Sequence, residues 1–141
     1  MAMLSSETIH AACVAVNGRG VLIEGHARES RTELALRLID RGATLVADAQ
    51  TLCTRRAGAL HAAAIPGSAG RIEIRGLGPL ELPHQEAPVA LVAVVLEAGP
   101  RLPEDKRTRS IAGVELPVLA LAATDLAAPI KIEIALGAFP R

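Results

Sequence analysis

Apolar and polar positions along the chain follow two periods, and the switches between them mark the elements. Residues 9–16 read as a strand, Asn17-Gly18 as a hairpin turn, and residues 21–24 as the returning strand. Residues 32–41 change to the helical period, with Leu34 and Leu38, and Ala35 and Ile39, recurring four apart. Gly42 follows as a left-handed cap. Residues 44–47 form the next strand, and residues 51–55 and 59–64 make a hairpin around Gly58. Arg71-Ile72-Glu73-Ile74-Arg75 alternates strictly until Gly76-Leu77-Gly78-Pro79 breaks it. Residues 89–96 are continuously apolar, as in a strand buried on both faces. Residues 101–113 are polar and irregular with room for one short helix, residues 118–126 read as helical, and residues 130–135 as a last alternating strand. The class is α/β: a strand-rich mixed sheet around one main helix, in a single domain over residues 1–141.

The junction of strand and helix at residues 25–32 carries the first chemical signal. In a phosphate-binding loop of the form G-x-x-x-x-G-K-[ST], glycines let backbone N–H groups converge on phosphates and the Lys adds a point charge. Here Gly25 holds the first position and Thr32 the last, whereas Ser30 replaces the second glycine and Arg31 the lysine. Ser30-Arg31-Thr32-Glu33 also fits a capping box, which would engage N–H groups that an anion needs. Glu29 adds a carboxylate where a polyphosphate would sit, and Arg28 and Arg31 offset it if they point inward.

Composition narrows the function classes. Half of the 141 residues are apolar but only Phe139 is aromatic, so the core is built from Ala, Val, Leu and Ile. A chain of this length buries about two-thirds of its unfolded surface without staples. Basic and acidic residues number 15 each, so no net field draws the chain to nucleic acid or an anionic membrane. Arg55-Arg56 and the basic run from Lys106 to Arg109 are short enough to be solvated faces. The longest apolar run is 8 residues, too short to span a bilayer, and the N-terminus has no secretory pattern. Cys13 and Cys53, without C-x-x-C spacing, suit buried reduced thiols, and a cytoplasmic location is expected.

Taken together, the segments resemble the catalytic domain of HPr kinase/phosphorylase in its short bacterial form. The resemblance runs from Ile9 to about Leu136. It rests on Ile9-His10, the strand-loop-helix of residues 21–42, Leu45-Val46-Ala47-Asp48 and above all Glu73-Ile74-Arg75-Gly76-Leu77-Gly78. It implies a phosphate-loop core like that of phosphoenolpyruvate carboxykinase. It also implies MgATP-dependent phosphorylation of a serine on a small HPr-like phosphocarrier, reversed by phosphorolysis. By the same resemblance, His10, Asp48 and Arg101 are catalytic; Gly25, Arg28, Ser30, Arg31 and Thr32 form the nucleotide loop; Glu73, Arg75, Gly76 and Gly78 form the signature. Thr32 and Glu73 would hold Mg²⁺ if it is bound. A tendency of the family to oligomerise extends the expectation to a homo-oligomer.

This sequence departs from that pattern at its chemical positions. Arg28 and Ser30 stand where the family has glycine, and Arg31 where it has the phosphate-binding lysine. A planar guanidinium on a longer stem is a poor substitute for a compact ammonium in a tight loop. Ala49 replaces the second of two adjacent aspartates, the one expected to take the serine proton. General acid–base help is typically worth about 10²–10⁴-fold in rate. Strand alternation would also point Asp48 and residue 49 to opposite faces, so that Asp48 does not simply stand in. No counterpart of the phosphorolysis segment is evident after Leu136.

The expectation is therefore a catalytically degenerate binding or regulatory module, taking a phosphocarrier or other signalling protein, with ATP and Mg²⁺ as cofactors if it is active and otherwise none. The alternatives are a working serine kinase, with Asp48 or His10 as base, and a purely structural domain whose loop collapses onto its capping box. Plainer roles compete residue by residue: a surface position for His10, His26, His61 and His84, a solvated strand face for Glu73 and Arg75, a turn for Gly76 and Gly78, and a turn cap for Asp48.

Overall fold

The computed structural model describes residues 5–25, 27–97 and 108–139. In chain order the elements are β1 (Ser6–Ile9), β2 (Ala12–Val16), β3 (Arg19–Gly25), α1 (Arg28–Asp40), β4 (Thr44–Ala47), β5 (Thr51–Arg56) and β6 (Ala59–Ala64). They continue with β7 (Arg71–Ile74), β8 (Gly78–Glu81), β9 (Ala87–Leu96), β10 (Thr108–Ile111), β11 (Val114–Ala122) and α2 (Ala128–Ala135). Nine strands form one mixed sheet, ordered β1-β5-β6-β9-β3-β2-β4 with β10 and β11 branching from β9, and β7 and β8 form a separate hairpin. The α/β class and strand-rich mixed sheet are as expected, with a second short helix added to the main one.

β9 pairs with three strands. Its first residues meet β6 in antiparallel register, while β3 and β11 run parallel to its later ones. Such a strand is covered on both faces, which is why its sequence is continuously apolar. On one face Leu91, Ala93 and Val95 pack with Val21 and Ile23 beneath Leu34, Ala35 and Leu38 of α1 and Ile132 of α2. On the other, Leu22 and Val92 pack against Ile9, Cys53, Leu60, Ile111 and Leu116 from the outer strands. Phe139 is 45% exposed, so the core is aliphatic. Cys13 and Cys53 are free and buried in the second cluster, and burial pushes the Cys53 thiol up to about 12. Among the described residues, no helix is long and apolar enough to cross a membrane.

Four sequence expectations need correction. Residues 9–16 are two strands: the chain breaks at His10-Ala11, where the Thr51 hydroxyl donates to the Ala11 carbonyl at 2.9 Å, and β1 pairs with β5 while β2 pairs with β3 and β4. Helix α1 begins at Arg28 rather than Thr32, with Arg31 N–H already donating to the Ala27 carbonyl at 3.1 Å. Without glycines to hold a loop open, the helix propagates backward through Arg28, Glu29 and Ser30. The Leu- and Ala-rich residues 118–126 are mostly strand, because pairing with β9 overrides helix propensity. Residues 130–135 are helical, not extended. Pro129 occupies the first turn, and the operative period is Ala128, Ile132 and Leu136, all buried, whereas Ile134 is 56% exposed. Residues 101–107 of the irregular stretch lie outside the described residues, and Thr108–Ile111 is strand.

The remaining elements match their patterns closely. β4 has the expected bounds, the β5–β6 hairpin turns at Ala57-Gly58, and Gly42 ends α1 at φ +110°. Arg41 at the end of α1 donates to buried Glu133 of α2 at 2.7 Å, fastening the two helices together.

At Gly25 glycine is a packing requirement. The residue has φ +106°, and a Cβ there would lie 2.2 Å from the Val95 carbonyl oxygen. Gly25→Ala is expected to destabilise the fold by about 3 kcal/mol or more, from overpacking and left-handed strain together. Gly58→Ala, at φ +78° with open space around it, is expected to cost about 1–2 kcal/mol. Denaturant midpoints of the two variants check the difference.

Candidate functional site

The site is built on Asp48, the first residue after β4, whose side chain is 6% exposed. Its Oδ1 accepts from the Thr32 hydroxyl at 3.0 Å and its Oδ2 from the Glu73 backbone N–H at 3.0 Å. One carboxylate thereby ties α1 to β7. Arg28 lies one turn before Thr32 on the same face of α1. Its Nη2 is 3.7 Å from Asp48 Oδ2 and 3.6 Å from Glu73 Oε2. A second, exposed ion pair joins Glu29 to Arg75 across the same gap.

The other loop residues turn inward on the chain itself. Arg31 donates through Nη1 to the Gly25 carbonyl at 2.7 Å, so its charge is anchored at the end of β3. The expected capping box is not formed. Ala27 is the N-cap and makes no side-chain cap bond, which puts Ser30 inside the first turn. The physical reason is again the early helix start, which moves Ser30 past the capping position.

Two clefts open beside this cluster and share Arg28 and Glu73 in their walls. One, of about 440 Å³, lies between α1 and β7, with Glu29, Thr32, Glu33 and Arg75 on its rim. The other, of about 320 Å³, is bordered by Asp48, Ala49, Gln50, Ser68 and Arg71. Ala49 has φ +64°, and the Gln50 N–H donates across it to the Asp48 carbonyl at 2.6 Å, as in a γ-turn. This turn corrects the expectation that Asp48 and residue 49 face opposite ways. β4 ends at Ala47, strand alternation stops there, and both residues border one cleft. An Ala in the left-handed region costs about 1–2 kcal/mol, so the local backbone is strained where the chemistry would be.

The structure therefore brings together Arg28, Thr32, Asp48 and Glu73, with Glu29 and Arg75 beside them and Gly25 and Arg31 paired nearby. His10 is exposed at the β1–β2 break, and among the described residues no hydrogen bond or ion pair links it to the cluster. Arg101 lies outside the described residues. Gly76 and Gly78 shape the β7–β8 turn at φ +87° and +89°, with open space around each. Arg71, Gln50 and Ser68 escaped the sequence reading, since no motif marks them. The i, i+4 spacing of Arg28 and Thr32 was the one signal that could have exposed the Arg28 bridge.

A divalent metal does not fit this donor set. Among the described residues no three His, Cys, Asp or Glu side chains are grouped to hold one. The Thr32 hydroxyl and both Asp48 oxygens have internal partners, and the Arg28 guanidinium lies against both carboxylates. A polyphosphate cradle fits no better, because Arg31 is bound back to Gly25 and side chains at residues 28–30 occupy a helical turn.

Residues 1–85 match the model of the HPr serine kinase C-terminal domain, which is more than half of the chain. The chain belongs to that family. It is 38% identical over 81 residues to the HPr kinase/phosphorylase of Clostridium tetani, covering 57% of this chain and 27% of that protein. With the HPr kinase/phosphorylase of Chloroherpeton thalassium it shares 33% identity over 127 residues, covering 79% of this chain and 37% of the relative. The chain thus spans between about a quarter and two-fifths of the length of such curated relatives. The solved Hpr(Ser) kinase/phosphatase of Coxiella burnetii superposes with a TM-score of 0.79 at 27% identity, covering 93% of this chain and 94% of that one. The resemblance first read from the Glu73–Gly78 signature is thereby shown for the family and extends to the fold of nearly the whole chain.

The Asp48 connection has a measurable stability consequence. Asp48→Asn keeps one oxygen for the Glu73 N–H, but its NH₂ group forces the Thr32 hydroxyl to turn from donor to acceptor, and the charge facing Arg28 is lost. A loss of about 2 kcal/mol is expected, read as a lower denaturant midpoint with unchanged slope.

Proposed function

We propose that this HPr kinase-family chain is a catalytically degenerate binding or regulatory module, formed as one unit over residues 1–141, whose partner is an HPr-like phosphocarrier or a related signalling protein. The observation that carries the reading is the Arg28 guanidinium between Asp48 and Glu73. Charges that a phosphoryl-transfer site would direct at nucleotide and metal are here directed at one another. Ala49 supports it from a second side, since a methyl group accepts no proton at the position where the resemblance expects the base.

The proposed docking face carries the two clefts and the neighbouring β7–β8 hairpin. Leu77 at the hairpin tip is 83% exposed, and Leu80 is also exposed. An exposed aliphatic tip flanked by Glu73, Arg75 and Arg71 has the mixed character of a transient protein interface. A cytoplasmic setting is in keeping with two free, buried thiols. Self-association through the same hairpin would make the chain a homo-oligomer.

The competing reading, an active ATP- and Mg²⁺-dependent serine kinase, draws support from the uncapped start of α1 and the placement of Thr32 beside Asp48. Both are tested by incubating the purified chain with an HPr protein, MgATP and a radiolabelled γ-phosphate, alongside calorimetric titration of the same carrier. The proposed module transfers no label above background but binds the carrier, and Leu77→Asp weakens that binding at least about tenfold. Stoichiometric serine labelling that Thr32→Ala abolishes would instead establish the kinase.

A further inference from the structure

Arg28 stands where a cation is electrostatically unwelcome. It is the first residue of α1, and the positive end of a helix dipole disfavours a guanidinium by its own field. Its position is explained by what it faces. A single nitrogen, Nη2, approaches one oxygen of Asp48 and one of Glu73 at nearly equal distances, 3.7 and 3.6 Å. Asp48 and the backbone that carries Glu73 are held there by other means. Asp48 is fixed by the Thr32 hydroxyl and the Glu73 N–H, while Glu73 is held in register by the pairing of β7 with β8 opposite Pro79. Asp48 and the strand position of Glu73 would thus stay on either side of the gap if the arginine were gone.

We propose that Arg28 is a tethered substitute for a divalent cation between Asp48 and Glu73, so that this chain takes no metal there and removal of the guanidinium creates a divalent-cation site. The ligand chemistry of the uncovered gap is hard oxygen: two carboxylates and, beside Asp48, the Thr32 hydroxyl. Divalent ions bind such donors at about 2.0–2.6 Å, closer than the arginine nitrogen approaches either acid. Metal and guanidinium therefore compete for the same two carboxylates. The nearby Glu29 has its own cation in Arg75, and Glu33 on the cleft rim is exposed to solvent, so neither competes with Asp48 and Glu73 for the Arg28 guanidinium. This inference deepens the degenerate-module reading, on which it rests, by naming what closes the site.

The test uses Mn²⁺ alone, with bound ion read from the loss of the free-ion electron paramagnetic resonance signal. It compares the wild-type chain, Arg28→Gly, Arg28→Gln and the double variant Arg28→Gly/Asp48→Asn. Wild type is expected to show no saturable site. Arg28→Gly should gain one site at least about tenfold tighter than any wild-type binding, and the double variant should lose it. Arg28→Gln keeps the side-chain length without the charge and gives the same answer if the glycine variant does not fold. A wild-type site as tight as that of the variants, abolished by Asp48→Asn, overturns the proposal. So does a folded Arg28→Gly or Arg28→Gln that gains no binding. Neither result depends on phosphoryl transfer, so failure here is distinguishable from failure of the proposed function.

Discussion

The close approach of β3 to β9 at Gly25 and Val95 sets the geometry of everything downstream. A side chain at residue 25 would meet the Val95 carbonyl at 2.2 Å, so the strand ends on a glycine whatever the following loop does. That fixes where α1 can begin and lets its Leu34, Ala35 and Leu38 face settle over the apolar surface of β3 and β9. The glycine most suggestive of phosphate binding is thus required by the sheet. Its presence is a property of the fold and says little about nucleotide.

From that fixed start the first turn of α1 does the rest. Arg28 and Thr32 share the face directed at Asp48, and Asp48 in turn holds the backbone of Glu73. Helix, β4 end and β7 hairpin are joined through one carboxylate that is nearly excluded from solvent. Low exposure strengthens these charge-assisted bonds and raises the cost of leaving any of them unmade. In the proposed reading, the same closure turns these groups toward one another and away from a substrate. Each Asp48 oxygen already accepts one internal hydrogen bond, and Arg28 and Arg31 each face a partner within the chain.

Much of the fold was legible because it follows from simple periods. The buried strand at β9, the β5–β6 hairpin, β4 and the apolar face of α1 all come from patterns whose reward is local or depends only on burial. The errors have a common cause in tertiary context. The Leu/Ala-rich segment of β11 is strand because β9 offers it a parallel edge, and α2 is helical because Ala128, Ile132 and Leu136 find a core beneath α1. The family resemblance named Thr32, Asp48 and Glu73 as site residues but left open whether Asp48 and Glu73 converge. The bridge made by Arg28 was not foreseen, since its meaning depends on a helix that starts one turn earlier than the capping signal implied. His10, prominent by resemblance, is exposed at the β1–β2 break, and among the described residues no hydrogen bond or ion pair joins it to this network.

The most direct measurement is an amide-correlation NMR spectrum of the wild-type protein, recorded with and without millimolar MgATP. A self-neutralised site leaves the Thr32, Asp48 and Glu73 amides where they were, because their partners are internal and no ligand displaces them. Saturable shifts confined to those three residues and Gly25 would contradict it, since they would mean that nucleotide and metal enter the gap and move Arg28 aside.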